Sequence, residues 1–391
     1  MQRRRSYAAF SIVVTVVMLL GACVMAVVLV LSGAPGALVT GLVLAAVPVA
    51  PLIATYMWLD RYEPEPRSLL VLGLGWGAFV ATSGALLLQL FDSVVFQTDD
   101  AFTATVVAPI TEEGAKGLFI LLLLVFRRHE LDGVLDGLVY AGMVGIGFAF
   151  TENILYLTSA YMGSDGQGGG LGGAVGLFIV RCLFGPFAHP FFTAFTGIGI
   201  GIAVGARSKV VRVLAPVGGY VLAIAAHAAW NGSLMLDGGR NALTTYVFLM
   251  VPAFLLLAGF AVWARQRERT ILTASLDDCA RRGFLSPAEV PWLARISARR
   301  YARRYAASAG GPEARRRMVA YQNEAIELGF LHSRYLRGVA PPDFDVLGQE
   351  HVEAMRALRP WLLWPQPVGG SRPPQMPTVQ QHGAGLPGAG R

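Results

Sequence analysis

Lysine is almost missing from this chain. Only Lys116 and Lys209 occur among 391 residues, against 30 arginines. Cysteine is nearly as scarce. Cys23, Cys182 and Cys279 are far apart with no C-x-x-C pair, which excludes a disulfide framework and a thiolate metal site. Charge is thin as well: 15% of residues are charged and 54% apolar, which excludes an ordinary soluble domain. No nucleic-acid-binding motif is present, so no nucleic-acid partner is expected.

What is present are apolar runs of bilayer length, the signature of an all-α polytopic membrane protein with about eight transmembrane helices. The expected spans are Ala8–Leu31, Ala37–Leu59, Ser68–Phe91, Ala101–Phe126, Val134–Tyr161, Ala174–Val204, Val213–Leu236 and Thr244–Trp263. The first is read as a signal anchor because its run is too long for a cleaved leader. Basic residues cluster on alternate connections: Arg3 to Arg5, Arg61 and Arg67, Arg127 and Arg128, Arg207 to Arg212, and Arg265 to Arg269. Only Arg240 breaks the alternation, which places both termini in the cytoplasm.

The chain divides into residues 1–100 (accessory spans and a cytoplasmic loop), 101–236 (a polar transmembrane core), 237–264 (a last span), 265–364 (a basic, helical cytoplasmic region) and 365–391 (a Pro/Gly/Gln-rich tail expected to be disordered). From Arg265 onward there are 19 Arg against 11 Asp and Glu, so the positive excess sits in this region, suited to lie near anionic lipid. The stretch Asp60–Pro66, with Pro64 and Pro66, reads as a rigid, solvated connector. Ser286 and Glu289 form a candidate capping box flanked by Leu285 and Val290.

Ionisable groups at bilayer depth are costly unless paired or facing water. The first three spans hold almost none; the next four hold many. Glu112 and Glu113 lie four and three residues before Lys116, within reach of its ammonium. Glu152 and Tyr156 are four apart, and His227, Trp230 and Asn231 form one helical stripe. His189 is followed by Pro190 and Thr193. Counted at about 1.5 Å per residue from the outer ends, Glu113, Glu152, His189 and His227 sit roughly 13–22 Å deep, near enough to share one cavity. Arg181 is expected to snorkel or form a pair.

Of six histidines only His189 and His227 lie within spans. Two imidazoles and a carboxylate suit zinc with a position left for water. A second carboxylate then moves the proton. The expected metal ligands are Glu152, His189 and His227, with Glu112 or Glu113 as general base and then acid. Lys116 serves as charge partner, and Asn231 orients a ligand or stabilises an oxyanion. A metal-free route, in which the glutamate pair and a histidine activate water, stays open. Pro190 and the glycines of the fifth and sixth spans are expected to open the helices to water or an extended backbone.

The motifs Glu112-Glu113-x-x-Lys116, Phe148-x-x-x-Glu152-x-x-x-Tyr156, His189-Pro190-x-Phe192-Thr193 and His227-x-x-Trp230-Asn231 resemble, in order and on successive helices, those of the PrsW family of intramembrane proteases. That family is a distant relative of the CAAX prenyl endopeptidases and Abi proteins. The CAAX relatives end the second motif in His, where this chain has Glu152. The resemblance covers about residues 60–235. It implies a metal-dependent endopeptidase in the bacterial cell membrane, cutting membrane-anchored proteins such as anti-sigma factors. Rival classes are a proton-coupled transporter, disfavoured because the ionisable groups do not recur in two related halves, and an inactive partner-binding relative.

Overall fold

The computed structural model describes residues 2–31, 35–163, 169–235 and 240–365, with side chains from residue 9 onward. Regular structure among them is helical throughout. The tail expected to be disordered lies outside the described residues from 366 onward, as do the side chains of Arg3 to Arg5. Among the described residues, seven helices are long and apolar enough to cross a membrane: α1 (Gln2–Leu31), α2 (Pro35–Leu59), α3 (Arg67–Val95), α5 (Val134–Met162), α6 (Gly170–Gly205), α7 (Lys209–Met235) and α8 (Ala242–Arg281). Between them α4 (Ala108–Phe126) is equally apolar apart from Glu112, Glu113 and Lys116, and helical turns from Asp100 lengthen it. The chain is an all-α polytopic membrane protein.

Helix α5 is the axis of the bundle. Its sequence is apolar around the whole circumference, and it is buried along most of its length against α2, α3 and α6. Glycines let these backbones touch. A methyl group on Gly147 would stand 1.9 Å from the carbonyl oxygen of Leu74, and one on Gly137 would stand 2.1 Å from that of Gly197. At these two positions glycine closes the helices on one another instead of opening them, as small residues do in membrane interfaces.

The sixth span is interrupted. Its first half (Gly170–Phe178) passes into a π-helical turn, Ile179–Phe184, closed by a bond from Gly185 N–H to the Val180 carbonyl at 3.0 Å. Gly185, Pro186 and Phe187 break the helix, and it resumes as Ala188–Gly205. Pro190 is the third residue of this second half, where a missing N–H costs nothing. The expected uninterrupted span Ala174–Val204 is therefore two half-helices, and His189 stands in the first turn of the second. Further π turns lie at Trp76–Ala81, Thr103–Val107 and Tyr246–Met250. Such turns are rare and concentrate at functional sites.

Helix α8 runs past Trp263 without a break to Arg281, then α9 (Val290–Ala294), α10 (Ile296–Leu336) and α11 (Phe344–Leu358) pack around Leu272, Leu276, Tyr321 and Phe330. Gly310 and Gly311 kink α10, Gly311 at φ +73°, just before Pro312. The Glu289 carboxylate reaches back to the Ser286 N–H at 3.0 Å, while Leu285 and Val290 are both buried in this core. All three cysteines are free.

The Asp60–Pro66 stretch is not a solvated connector. Asp60 and Glu65 are buried; Glu65 N–H donates to Asp60 at 2.9 Å, and Tyr140 O–H on α5 donates to Glu65 at 2.6 Å. Arg299 of α10 donates to the Tyr62 carbonyl at 2.9 Å, and Arg265 to that of Trp58 at 3.0 Å. The two prolines stiffen the loop, so it can act as the seat on which the C-terminal region docks. Burial pushes the Asp60 carboxyl up to about 7, against the lowering effect of the Glu65 N–H.

Candidate active site

Helix α4 supplies three ionisable side chains to one place. Lys116 Nζ donates to Glu113 Oε1 at 2.8 Å and to Glu112 Oε2 at 3.3 Å, and lies 3.7 Å from the centre of the Phe148 ring. Adjacent residues of a helix point about 100° apart, so the two glutamates have different surroundings. Glu113 is wholly buried, and both of its oxygens are used. Oε1 meets Lys116 and His227 Nδ1 (3.1 Å), and Oε2 accepts from the Thr193 hydroxyl at 2.9 Å. Glu112 instead faces a cavity of about 590 Å³, with its Oε1 at 3.4 Å from the Gln89 amide.

The cavity also exposes Glu152, Arg181, His189, His227 and Asn231. It reaches the end of the bundle formed by the C-terminal ends of α3, α5 and α7, opposite the end on which the C-terminal region docks. Its size suits a segment of chain.

The partners fix both imidazole tautomers. A carboxylate only accepts and an ammonium only donates. His189 meets Glu152 through Nε2 at 2.7 Å and Lys116 through Nδ1 at 3.0 Å, so Nε2 carries the proton and Nδ1 the lone pair. His227 meets Glu113 through Nδ1, so in the neutral ring the lone pair is on Nε2, 3.8 Å from Glu112 Oε2. Phe192 stacks on the His227 ring at 4.7 Å, and Phe148 packs at a tilt against His189 at 4.9 Å.

Among the described residues, the group able to hold a metal ion is Glu112, His189 and His227, whose ligand atoms all lie within 4.8 Å of one another. This donor set, two imidazole nitrogens and one carboxylate oxygen, fits a zinc-type ion. The outer partners fit too, because Glu113 and Glu152 each take the far N–H of one histidine. The charge also leaves room for a cation. Three carboxylates face two fixed cations, Lys116 and Arg181.

The candidate site residues Glu112, Glu113, Glu152, His189, His227 and Asn231 are at or beside this cavity, but the arrangement redistributes them. Glu112 groups with the two histidines, whereas Glu152, expected among the ligands, stands behind His189. Asn231 Nδ2 is tied to the Ala104 carbonyl at 2.9 Å, with the rest of its amide at the cavity wall. Gln89 joins the site with no sequence signal beyond being a lone amide in an apolar span, and Thr193, part of the His189 motif, gains its role from its bond to Glu113.

The family model of the PrsW family intramembrane metalloproteases matches residues 65–257. The protease PrsW of Geobacillus kaustophilus is 30% identical over 164 residues, 41% of this chain and 67% of that protein. That of Clostridioides difficile is 31% identical over 117 residues, 28% of this chain and 49% of that protein. That of Bacillus subtilis is 25% identical over 226 residues, 57% of this chain and 94% of that protein. No solved structure matches. With the cavity and the paired glutamates inside the matched region, this chain belongs to the PrsW family of intramembrane metalloproteases and is a protease.

Proposed function

We propose that the chain is an endopeptidase of the bacterial cell membrane that cuts membrane-anchored proteins, anti-sigma factors being the class the family resemblance suggests. Glu112, His189 and His227 would hold a divalent metal, zinc by the chemistry of the donors; bound there, it would supply an acidic water at neutral pH. The single observation that carries this reading is the grouping of Glu112, His189 and His227, whose ligand atoms lie within 4.8 Å of one another; Lys116, which holds His189 Nδ1 and Glu112 Oε2 in the free chain, would have to yield them to a bound ion.

The remaining roles follow from which atoms are free. Glu113 has no oxygen left for water and acts as the support of His227. Glu152 uses one oxygen, Oε2, for His189 and Arg181, while Oε1 takes no hydrogen bond from the described residues. Glu152 therefore accepts the proton of the attacking water and returns it to the leaving amine. Asn231, anchored through one N–H to Ala104, keeps a second N–H for the oxyanion.

The alternating basic loops support cytoplasmic termini, which puts the cavity mouth on the outer side. The metal-free route draws support from Lys116, whose ammonium already touches Glu112 and His189. Co-expression with a library of single-span substrates tests the protease roles. Glu112→Gln, Glu152→Gln and His227→Ala should each abolish cleavage of whatever the wild type cuts, and unchanged cleavage in all three would end this reading.

A further inference from the structure

Arg181 stands in the wall of the cavity on the π turn of α6, yet no role in the reaction falls to it so far. Its guanidinium donates through Nη2 to Glu152 Oε2 and through Nε to Asn153 Oδ1 at 2.9 Å, and it lies 3.9 Å from the centre of the Tyr156 ring. All three partners belong to one stretch of α5. The arginine crosses from the other wall and is held by charge, by hydrogen bond and by ring contact together. An ion pair that merely tied two helices would serve on any atom. This one is made to the same carboxylate oxygen that His189 Nε2 uses at 2.7 Å.

We infer that Arg181 is a positioning residue, which clamps Glu152 so that Oε2 fixes His189 as the Nε2–H tautomer and Oε1 points into the cavity. The inference rests on the metal reading above only for its consequence, that the His189 Nδ1 lone pair, held by Lys116 in the free chain, would be the one a bound ion takes. The physical need is plain. Lys116 is committed to Glu112, Glu113 and His189, so Glu152 requires a cation of its own. A planar fork can engage Glu152 and Asn153 at once and still face Tyr156; an ammonium on a flexible stem cannot. Residue 181 lies within the π turn Ile179–Phe184, just before the break at Gly185.

Two measurements on the purified full chain in detergent decide the matter. The first is Zn²⁺ affinity by chelator competition. Arg181→Met and Glu152→Gln should each weaken binding about 10–100-fold, the usual effect of losing an outer partner. Arg181→Met on the Glu152→Gln background should add less than about threefold, because both act through one atom. The second is the tautomer of His189 by ¹⁵N-histidine NMR without metal, assigned by difference from His189→Asn. Because the Lys116 ammonium also holds Nδ1 as an acceptor, the comparison is made on a Lys116→Met background, which should show Nε2–H alone with Arg181 in place and a mixture with Arg181→Met. Unchanged affinity and tautomer in Arg181→Met, or a full additional loss on the Glu152→Gln background, would overturn the inference. If the wild type binds no Zn²⁺, the metal reading fails by itself and the tautomer still decides on Arg181. If Arg181→Met does not fold, Arg181→Lys takes its place. A partial mixture supports the clamp, and wild-type behaviour in both measurements overturns it.

Discussion

Glu113 Oε1 lies 3.1 Å from Nδ1 of His227, and this contact separates two glutamates that are neighbours in sequence. It spends Glu113 on orientation and leaves Glu112 at the cavity. Replacing them should therefore give different phenotypes. Glu113→Ala leaves Lys116, Thr193 and His227 without their shared partner in a dry interior, a loss of about 3–5 kcal/mol. Glu112→Gln should unfold close to the wild-type temperature and yet be inactive. Thermal unfolding in detergent, read beside cleavage, distinguishes the two; equal destabilisation by both would contradict it.

A buried acidic seat makes the docking of the C-terminal region depend on pH. The Asp60 carboxyl is raised by burial from 3.8 to about 7, and burial also raises Glu63 and Glu65. A raised acid favours the folded state while protonated, so its contribution is full below about pH 4 and is lost as pH rises toward 7. Its size is a few kcal/mol at most, at about 1.4 kcal/mol per unit. Limited proteolysis of the region after Arg265 should accelerate from pH 5 to pH 8. Asp60→Asn should flatten that dependence.

Arg299 donates to the Leu293 carbonyl within its own region and to the Tyr62 carbonyl at 2.9 Å in the loop below. Arg299→Ala leaves two buried acceptors unmet, at a cost of about 1–3 kcal/mol each. Faster clipping near α9 is expected, with the membrane helices intact; an unchanged proteolytic pattern would show that the seat is held elsewhere.

Gly147 has no room for a side chain. Gly147→Ala sets a methyl against the Leu74 backbone, which must move, and overpacking of this kind costs about 1–3 kcal/mol. The change separates α3 from α5. It should lower the unfolding temperature, whereas Gly218→Ala, where a methyl meets nothing within 4 Å, should not.

The spans were legible because an apolar run of bilayer length has few alternatives, and the polar residues inside them stood out by cost alone. The division of labour between Glu112 and Glu113 was not. It depends on the rotation of α4 about its axis, which long-range packing of Phe119 and Ile120 into the core sets. The break before His189 was hidden because Gly185-Pro186 sits inside a run whose hydropathy does not fall. The Asp60–Pro66 loop looked solvated because its partners, Tyr140 and Arg299, are 75 and 237 residues from theirs in sequence. Arg181 was expected to snorkel or to pair, and it pairs, with Glu152 from the facing helix.

The central claim is that Glu112, His189 and His227 form one metal centre. Metal content per chain in the purified protein tests it most directly. The wild type should carry about one divalent ion, and Glu112→Ala, His189→Ala and His227→Ala should each lose it, while Asn231→Ala retains it. Equal low metal in the wild type and in all three ligand variants, from wild-type protein that still cleaves substrate, would contradict the account.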